Sequence, residues 1–144
     1  MTERWFPDGM PPPAADMDTG PWWEAAAEHR LTAQRCTSCQ RLRHPPAPIC
    51  AACRSTEFDW KQLSGKGHVY TYTIVHRPVA RDQAVPFIVI AVELEDADGL
   101  RMVSNLVDAP PEGVTIGMPV ELVWEDMSEE LAVPRFRAAP DGSS

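Results

Sequence analysis

The chain has 144 residues, 44% of them hydrophobic, so it can bury the core of one ordinary domain or of two very small ones. Its formal net charge of −8 argues against a general nucleic-acid binder, because contacts with phosphates need a basic surface. The 15 prolines disfavour long helices and favour short strands and loops. No apolar run is long enough to span a membrane.

Residues 1–15 lack the basic start and the apolar stretch of a secretory signal peptide. We therefore expect a cytoplasmic protein, in which thiols stay reduced and paired cysteines bind metal more often than they form disulfides. Five arginines and no acid lie within residues 30–54, whereas eleven acids and one arginine lie within residues 93–130. This asymmetry fits either chance clustering on a solvated surface or a charged partner.

Residues 1–20 contain several prolines and glycines and no apolar period, which predicts a flexible arm. Trp5 and Phe6 are unusual in such a segment. They fit either docking on a neighbouring protein or packing back on the same chain.

A helix is predicted over about residues 21–34, because proline suits the first helical position and a run of three alanines follows. Trp23, Ala27 and Leu31 would form its narrow apolar stripe. Trp22 lies beside this stripe and enlarges the aromatic surface. The helix fits docking on the core of its own chain, with a subunit interface as the alternative.

All four cysteines lie in one segment as two C-x-x-C pairs, Cys36 with Cys39 and Cys50 with Cys53. Zinc prefers four soft ligands in a tetrahedron, and each C-x-x-C turn places two thiolates on one side of the ion. Two such turns leave no open position for water, so the sequence predicts one structural zinc ion. Two disulfides or a redox-active pair are the alternatives, and the choice between zinc and iron in the cell stays open.

Turns of this kind often carry glycine directly after the second cysteine, where the backbone favours a positive φ. Gln40 and Arg54 occupy those positions here. We expect slight strain in both turns without the loss of a ligand.

Beyond residue 56 the pattern changes to short strands separated by turn residues, beginning with the alternating Phe58 and Trp60. Further strands are predicted over residues 68–75, 87–94, 100–107, 120–124 and 131–138. The segment 87–94 is almost continuously apolar, which predicts a buried central strand. Five or six such strands favour a small barrel or a sandwich.

This order of features resembles a known family, the proteins grouped as domain of unknown function thirty-five. The motifs that carry the resemblance are Pro21-Trp22-Trp23-Glu24, the two cysteine pairs, His44-Pro45-Pro46, Gly65-Lys66-Gly67, Val85-Pro86-Phe87, Asp98-Gly99-Leu100, Ile116-Gly117-Met118-Pro119-Val120 and Val133-Pro134-Arg135-Phe136. Each motif is weak by itself, but their order is specific and covers about residues 21–137.

The resemblance implies a mainly β fold with an N-terminal helix, a four-cysteine zinc ribbon and a small five-stranded barrel like an OB-fold. The corresponding division is an arm at 1–20, the helix and ribbon at 21–56, the barrel at 57–139 and a tail at 140–144.

Members of that family are similar in serving as accessory subunits of thiolase-like enzymes that act on acyl-CoA thioesters. In some, the partner is a lipid-transfer-protein-like thiolase that works as a retro-aldolase on steroid side chains. In archaea, a relative bridges thiolase and hydroxymethylglutaryl-CoA synthase. The resemblance thus implies a non-catalytic zinc subunit that binds a thiolase-like partner and helps to hold acyl-CoA.

The residues agree with a chain that is not an enzyme by itself. No nucleophile elbow, phosphate-binding loop or dinucleotide fingerprint is present, and metal binding would occupy every cysteine. His68, Tyr70 and Tyr72 alternate onto one predicted strand face, where they fit acid–base chemistry less well than ordinary exposure on a barrel.

Two hypotheses on binding remain. CoA carries phosphates, and Arg35, Arg41, Arg43 and Arg54 lie in the acid-free stretch, where guanidinium groups would match phosphate oxygens in pairs. Contact of these arginines with acids of the partner is the equal alternative. A different class of function is an OB-fold module that stacks single-stranded nucleic acid on aromatic residues, although most of the acid lies in the barrel half.

Overall fold

The computed structural model describes residues 5–7, 10–80 and 83–140. Parts of the predicted arm and most of the predicted tail lie outside the described residues. The elements in chain order are α1 (Gly20–Ala27), β1 (Thr32–Cys36), β2 (Leu42–Arg43), β3 (Phe58–Gln62), β4 (Lys66–Val75), β5 (Phe87–Leu94), β6 (Arg101–Leu106), a short 3-10 helix (Pro111–Gly113), β7 (Pro119–Asp126) and β8 (Ala132–Ala138).

The strands form two sheets, a three-stranded ribbon sheet of order β2-β1-β3 and a closed barrel of order β4-β5-β6-β8-β7. The predicted fold class, mainly β with one N-terminal helix, a four-cysteine ribbon and a five-stranded barrel, is confirmed. None of the helices in the described part of the chain is long and apolar enough to cross a membrane.

The first predicted strand of the barrel belongs to the ribbon sheet instead. β3 runs antiparallel to β1, with Phe58 opposite Cys36 and Asp59 opposite Arg35. This pairing extends along the whole length of β1, whereas β2 pairs with β1 at two positions on the other side.

The helix is shorter than predicted and buries a different face. It ends at Ala27, and His29 follows with a positive φ of 61°, a conformation that terminates helices. Trp22, Ala25 and Ala26 form the buried face. The predicted stripe through Ala27 was therefore wrong, because the chain has already left the helix before it reaches Leu31.

The barrel core comes from alternate side chains of each strand. Along β5, Ile88, Ile90, Val92 and Leu94 are buried, and the residues between them are half-buried. β5 pairs with β4 on one side and β6 on the other, and each strand of this closed barrel has two neighbours, so the predicted distinction between a central and an edge strand does not arise. Its outward-facing Phe87 and Val89 are apolar as well because they line a groove on the outside of the barrel.

Asp96 fixes the junction between the ribbon and the barrel. Its carboxylate accepts the backbone N–H of Ser64 at 2.9 Å, and its carbonyl accepts Nζ of Lys61 at 2.7 Å. The N–H of the buried Leu63 donates to the carbonyl of Leu31 at 2.8 Å. The short connection between β3 and β4 is thus held to both sheets.

The Gly65-Lys66-Gly67 motif starts the barrel, and its two glycines meet different steric demands. Gly65 has a φ of 84°, in the left-handed region that favours glycine. A Cβ on Gly67 would lie 2.4 Å from the carbonyl oxygen of Glu93 on the paired strand. Any side chain at position 67 would therefore clash with the backbone of β5.

We predict that Gly67→Ala lowers the free energy of unfolding by about 1–3 kcal/mol, because the methyl group must push β5 away. Chemical denaturation followed by circular dichroism measures this change. Gly20→Ala is the control, because a Cβ there meets no atom within 4 Å. Equal stability of the two variants would contradict the close approach.

Candidate metal centre and adjoining groove

The four cysteines converge at one end of the ribbon sheet, where all their sulfur atoms lie within 4.8 Å of one another. The Sγ of Cys36 lies 3.5 Å from that of Cys53, and the Sγ of Cys39 lies 3.7 Å from that of Cys50. A tetrahedral site with zinc–sulfur distances of about 2.3 Å places sulfur atoms about 3.8 Å apart. None of the four cysteines forms a disulfide. The donor set fits the predicted structural zinc ion.

Two equivalent turns present these thiols. The N–H of Gln40 donates to the carbonyl of Cys36, and the N–H of Arg54 donates to the carbonyl of Cys50, both at 2.8 Å. Gln40 and Arg54 have φ angles of 69° and 65°. These are the positive φ values expected from the sequence, and each costs a non-glycine residue about 1 kcal/mol. Metal binding has to offset this strain.

The same turns stabilise the thiolate form of the first cysteine in each pair. The backbone N–H of Cys53 donates to the sulfur of Cys50 and is the main reason why the pKa of Cys50 falls to about 6. The N–H of Cys39 likewise lowers the pKa of Cys36. Because zinc binds the deprotonated thiol, the backbone favours the metal-binding form.

Two of the four arginines predicted to hold phosphates are engaged within the chain. Arg35 donates from Nε and Nη2 to the two carboxylate oxygens of Asp59, at 2.8 and 2.9 Å, which lowers the pKa of Asp59. Arg43 donates from Nη2 to the carbonyl of Ala47 at 2.8 Å, and its guanidinium carbon lies 5.7 Å from the centre of the Phe58 ring. Both side chains support the ribbon.

Arg41 and Arg54 are exposed beside the two cysteine turns. Arg41 directly precedes β2, and Arg54 directly follows Cys53. Within the described part of the chain, their guanidinium groups form no hydrogen bond or ion pair. They are the members of the predicted set that remain available to an external anion.

A groove of about 760 Å³ lies where the arm, the helix, the ribbon and the barrel meet, and we call it the junction groove. Trp22 and Trp23 contribute from the helix and His44 from the ribbon, while Phe87 and Met102 contribute from the barrel. Most of the lining is apolar. Its size falls within the range of small-molecule sites, about 300–1,000 Å³.

Aromatic contacts hold the helix side of the junction groove. The indole Nε1 of Trp22 donates to the carbonyl of Thr32 at 2.9 Å, and the Trp23 ring meets that of Trp22 edge-to-face with centroids 4.8 Å apart. The His44 ring lies 5.5 Å from Trp22, and burial lowers the pKa of His44. The helix therefore docks on its own chain, and Trp23 is left half-buried at the wall of the groove.

A buried ion pair supports the floor of the junction groove. Arg135 donates from Nε to Oε1 of Glu125 at 3.0 Å and from Nη1 to Oδ1 of Asn105 at 2.7 Å. Glu125 also accepts the backbone N–H groups of Trp5 and Phe6 at Oε2, at 2.7 and 2.6 Å. The two aromatic residues of the arm thus pack back on their own chain.

The sequence did not single out Glu125 or Asn105, and Arg135 appeared only as part of the Val133-Pro134-Arg135-Phe136 motif. A single acid in a predicted strand is usually an exposed residue on its outer face, so nothing in the sequence indicates that Glu125 is buried. In the structure, however, the Glu125 side chain is fully buried. The network also bridges β6 and β8, which share only one paired position, Leu106 with Phe136.

The predicted acid–base candidates lie away from the junction groove. His68 contacts Glu93 at 3.2 Å, and Tyr70 lies under Arg101, whose Cζ is 3.7 Å from the ring centre. A register shift between Val69 and Thr71 puts Tyr72 opposite the buried Ile90, on the other face of the strand from His68. The prediction of one shared face was wrong because the sequence does not reveal the bulge.

Two domain profiles match consecutive parts of the chain. The profile described as the rubredoxin-like zinc ribbon domain of ChsH2 matches residues 23–59, and the profile described as the C-terminal OB-fold domain of ChsH2 matches residues 60–125. A DUF35 domain-containing scaffold protein of Methanocaldococcus jannaschii is 39% identical over 111 residues, which cover 76% of this chain and 77% of that protein. The chain belongs to the DUF35 family.

Two further relatives are larger proteins or parts of complexes. The 3-oxo-4,17-pregnadiene-20-carboxyl-CoA hydratase alpha subunit of Mycobacterium tuberculosis is 36% identical over 123 residues, covering 85% of this chain and 39% of that protein. A solved structure named Ltp2-ChsH2(DUF35) aldolase matches with a TM-score of 0.81 and 43% identity, covering 90% of this chain and 100% of the matched chain.

The chain spans about two fifths of the length of the hydratase alpha subunits that it matches. These relatives are named as a subunit, as a scaffold protein and as an aldolase.

We predict that the purified protein contains about one zinc ion per chain and that Cys50→Ser loses it together with the folded ribbon, since a structural zinc site contributes folding free energy directly. Metal analysis by mass spectrometry and limited proteolysis between residues 36 and 57 measure both effects. Ala51→Ser, a change at an exposed position of the same turn that leaves all four thiols in place, serves as the control. Metal-free protein with an intact ribbon would contradict the assignment.

Proposed function

We propose that this DUF35 protein is a non-catalytic accessory subunit that binds a thiolase-like partner and helps to hold its acyl-CoA substrate. The junction groove is the observation that carries the proposal. It is large and apolar, and it lies between the ribbon and the barrel. The described residues that line it include no cysteine and a single carboxylate, Asp108, and the hydroxyl of their one serine, Ser104, donates to the carbonyl of Pro134 at 2.8 Å.

The groove suits an apolar acyl group, because its walls are aromatic and aliphatic. One relative is named for a steroid acyl-CoA, and another is named an aldolase. On this basis we propose a substrate with a bulky, steroid-sized acyl group and a partner that cleaves its side chain by a retro-aldol reaction. The four reduced thiols of the metal site favour the cytoplasm as the location.

The CoA phosphates would bind at Arg41 and Arg54. Both side chains are exposed and lack a partner within the described part of the chain, whereas Arg35 and Arg43 already make contacts in the ribbon. Guanidinium groups on a rigid metal-held scaffold are well placed for charge-assisted hydrogen bonds to phosphate. The acidic barrel half would then face away from CoA.

A nucleic-acid role has less support. Tyr70, an aromatic residue that would offer a stacking platform, is covered by Arg101, which in turn contacts Glu93. The net charge of −8 would repel a phosphate backbone.

Co-expression with the thiolase-like protein of the same organism tests the subunit assignment. We predict co-elution as a hetero-oligomer on size exclusion, with acyl-CoA turnover by the complex and none by the isolated DUF35 chain. Robust turnover by the isolated chain, or separate elution of the two proteins, would refute the proposal.

We predict that Arg41→Ala combined with Arg54→Ala raises the Kd of the assembled complex for acyl-CoA about tenfold or more, since each charge-assisted contact contributes about 1.5–3 kcal/mol. Isothermal titration calorimetry measures the Kd. The control replaces two exposed arginines of the barrel half, Arg77 and Arg137, by alanine. An unchanged Kd in an intact complex would contradict the assignment to phosphate binding. Loss of co-elution with the partner on size exclusion would make the two ribbon arginines partner contacts instead.

A further inference from the structure

The outer half of β4 has a free edge. β4 pairs with β7 only through Lys66, Gly67 and His68. One more step of pairing follows, in which Val69 donates to the carbonyl of Met118 at 3.0 Å and accepts the N–H of Gly117 at 2.7 Å. Residues 71–75 then pair with β5 alone.

No hydrogen bond from the described residues reaches the other side of the segment 71–75. Because N–H and C=O groups alternate in direction along a strand, every second residue there points its backbone groups away from β5. Such a row is a template for another strand. We call residues 71–75 the β4 edge.

The β4 edge lacks the features that normally protect a strand from pairing. From Val69 to Val75 the sequence is Val-Tyr-Thr-Tyr-Thr-Ile-Val, with no charge and no proline. Natural proteins place lysine, proline or an inward-pointing charge on exposed edges. The register shift in β4 lies before this segment, and residues 71–75 pair with β5 without a further shift.

Exposed apolar side chains lie near the edge. Tyr72 is 39% exposed, and Ile116, which directly precedes the Gly117 bound to Val69, is 67% exposed. Tyr72 lies on the same face as the partly buried Ile74. An added strand would cover these side chains and extend the apolar core.

A second copy of this chain is not the occupant that the observations favour. Five residues of strand are only about 17 Å long, and such a contact falls short of the roughly 1,200–2,000 Å² that a stable interface buries. Each copy also carries a net charge of −8, which opposes self-association. A strand of a different protein avoids the repulsion between two equal net charges, and it can be one part of an interface that buries more area elsewhere.

We propose that the β4 edge receives an extended, uncharged segment of the partner subunit, which adds to the barrel as a further strand. This inference rests on the proposed accessory-subunit function and names how the partner is held. Main-chain hydrogen bonds would supply affinity, and side chains that pack on Tyr72 and Ile116 would supply specificity. The edge lies outside the junction groove, none of whose lining residues belongs to the segment 71–75.

The test uses the full chain with the thiolase-like protein of the same organism as the probe. Hydrogen exchange with mass spectrometry should show amides of residues 71–75 protected at least about tenfold in the complex, because added-strand hydrogen bonds shield them. Biolayer interferometry should show that Tyr72→Lys and Thr73→Lys, one on each face of the edge, weaken binding at least about tenfold. Circular dichroism checks the folding of each variant.

Met17→Lys is the matched control, because Met17 is 97% exposed and lies in the turn before α1; its binding should change less than about twofold. A complex that leaves residues 71–75 unprotected, or that tolerates both edge variants as well as Met17→Lys, overturns this inference and leaves the subunit assignment intact. Absence of any complex overturns both. Protection of the edge in the isolated chain at high concentration would assign it to a second copy.

Discussion

The convergence of four thiolates on one point is the interaction on which the rest of the structure depends. Between residues 37 and 57, Leu42 and Cys50 are the buried hydrophobic side chains of the described chain. That is too little apolar surface to fold twenty residues, so the metal supplies the free energy that a core would otherwise supply. The metal therefore holds in place the ribbon residues that line the junction groove, including His44. It also holds the turns that carry the two exposed arginines, Arg41 and Arg54.

The barrel also has a weakly paired region, between β6 and β8, which side-chain hydrogen bonds stabilise. The parallel contact of these strands is a single paired position, and the Glu125–Arg135–Asn105 network crosses the same gap with hydrogen bonds. Removing one partner of a buried ion pair costs far more than the pair contributes, because the remaining charge is left unpaired. The network thus adds to the bonds from Val107 to Phe136 and from Ser104 to Pro134 that cross this gap, and it also ties Trp5 and Phe6 to the barrel.

Short-range chemistry was predictable from the sequence, and long-range pairing was not. The cysteine spacing predicts the metal site because each half of the site is a local turn. The apolar run at 87–94 predicts β5 because the run is contiguous in the sequence. The sheet to which β3 belongs depends on its partner β1, more than twenty residues earlier in the chain. The face of Tyr72 depends on a one-residue bulge, and the burial of Glu125 depends on contacts with residues 119 and 120 positions away. None of these leaves a periodic pattern in the sequence.

The clamp at Asp96 has a mechanical consequence. Because Ser64 and Lys61 are both held by one residue of the barrel, the connection between ribbon and barrel is restrained at two points. A restrained connection samples fewer relative orientations of the two sheets, so less conformational entropy is left to lose when a ligand binds between them.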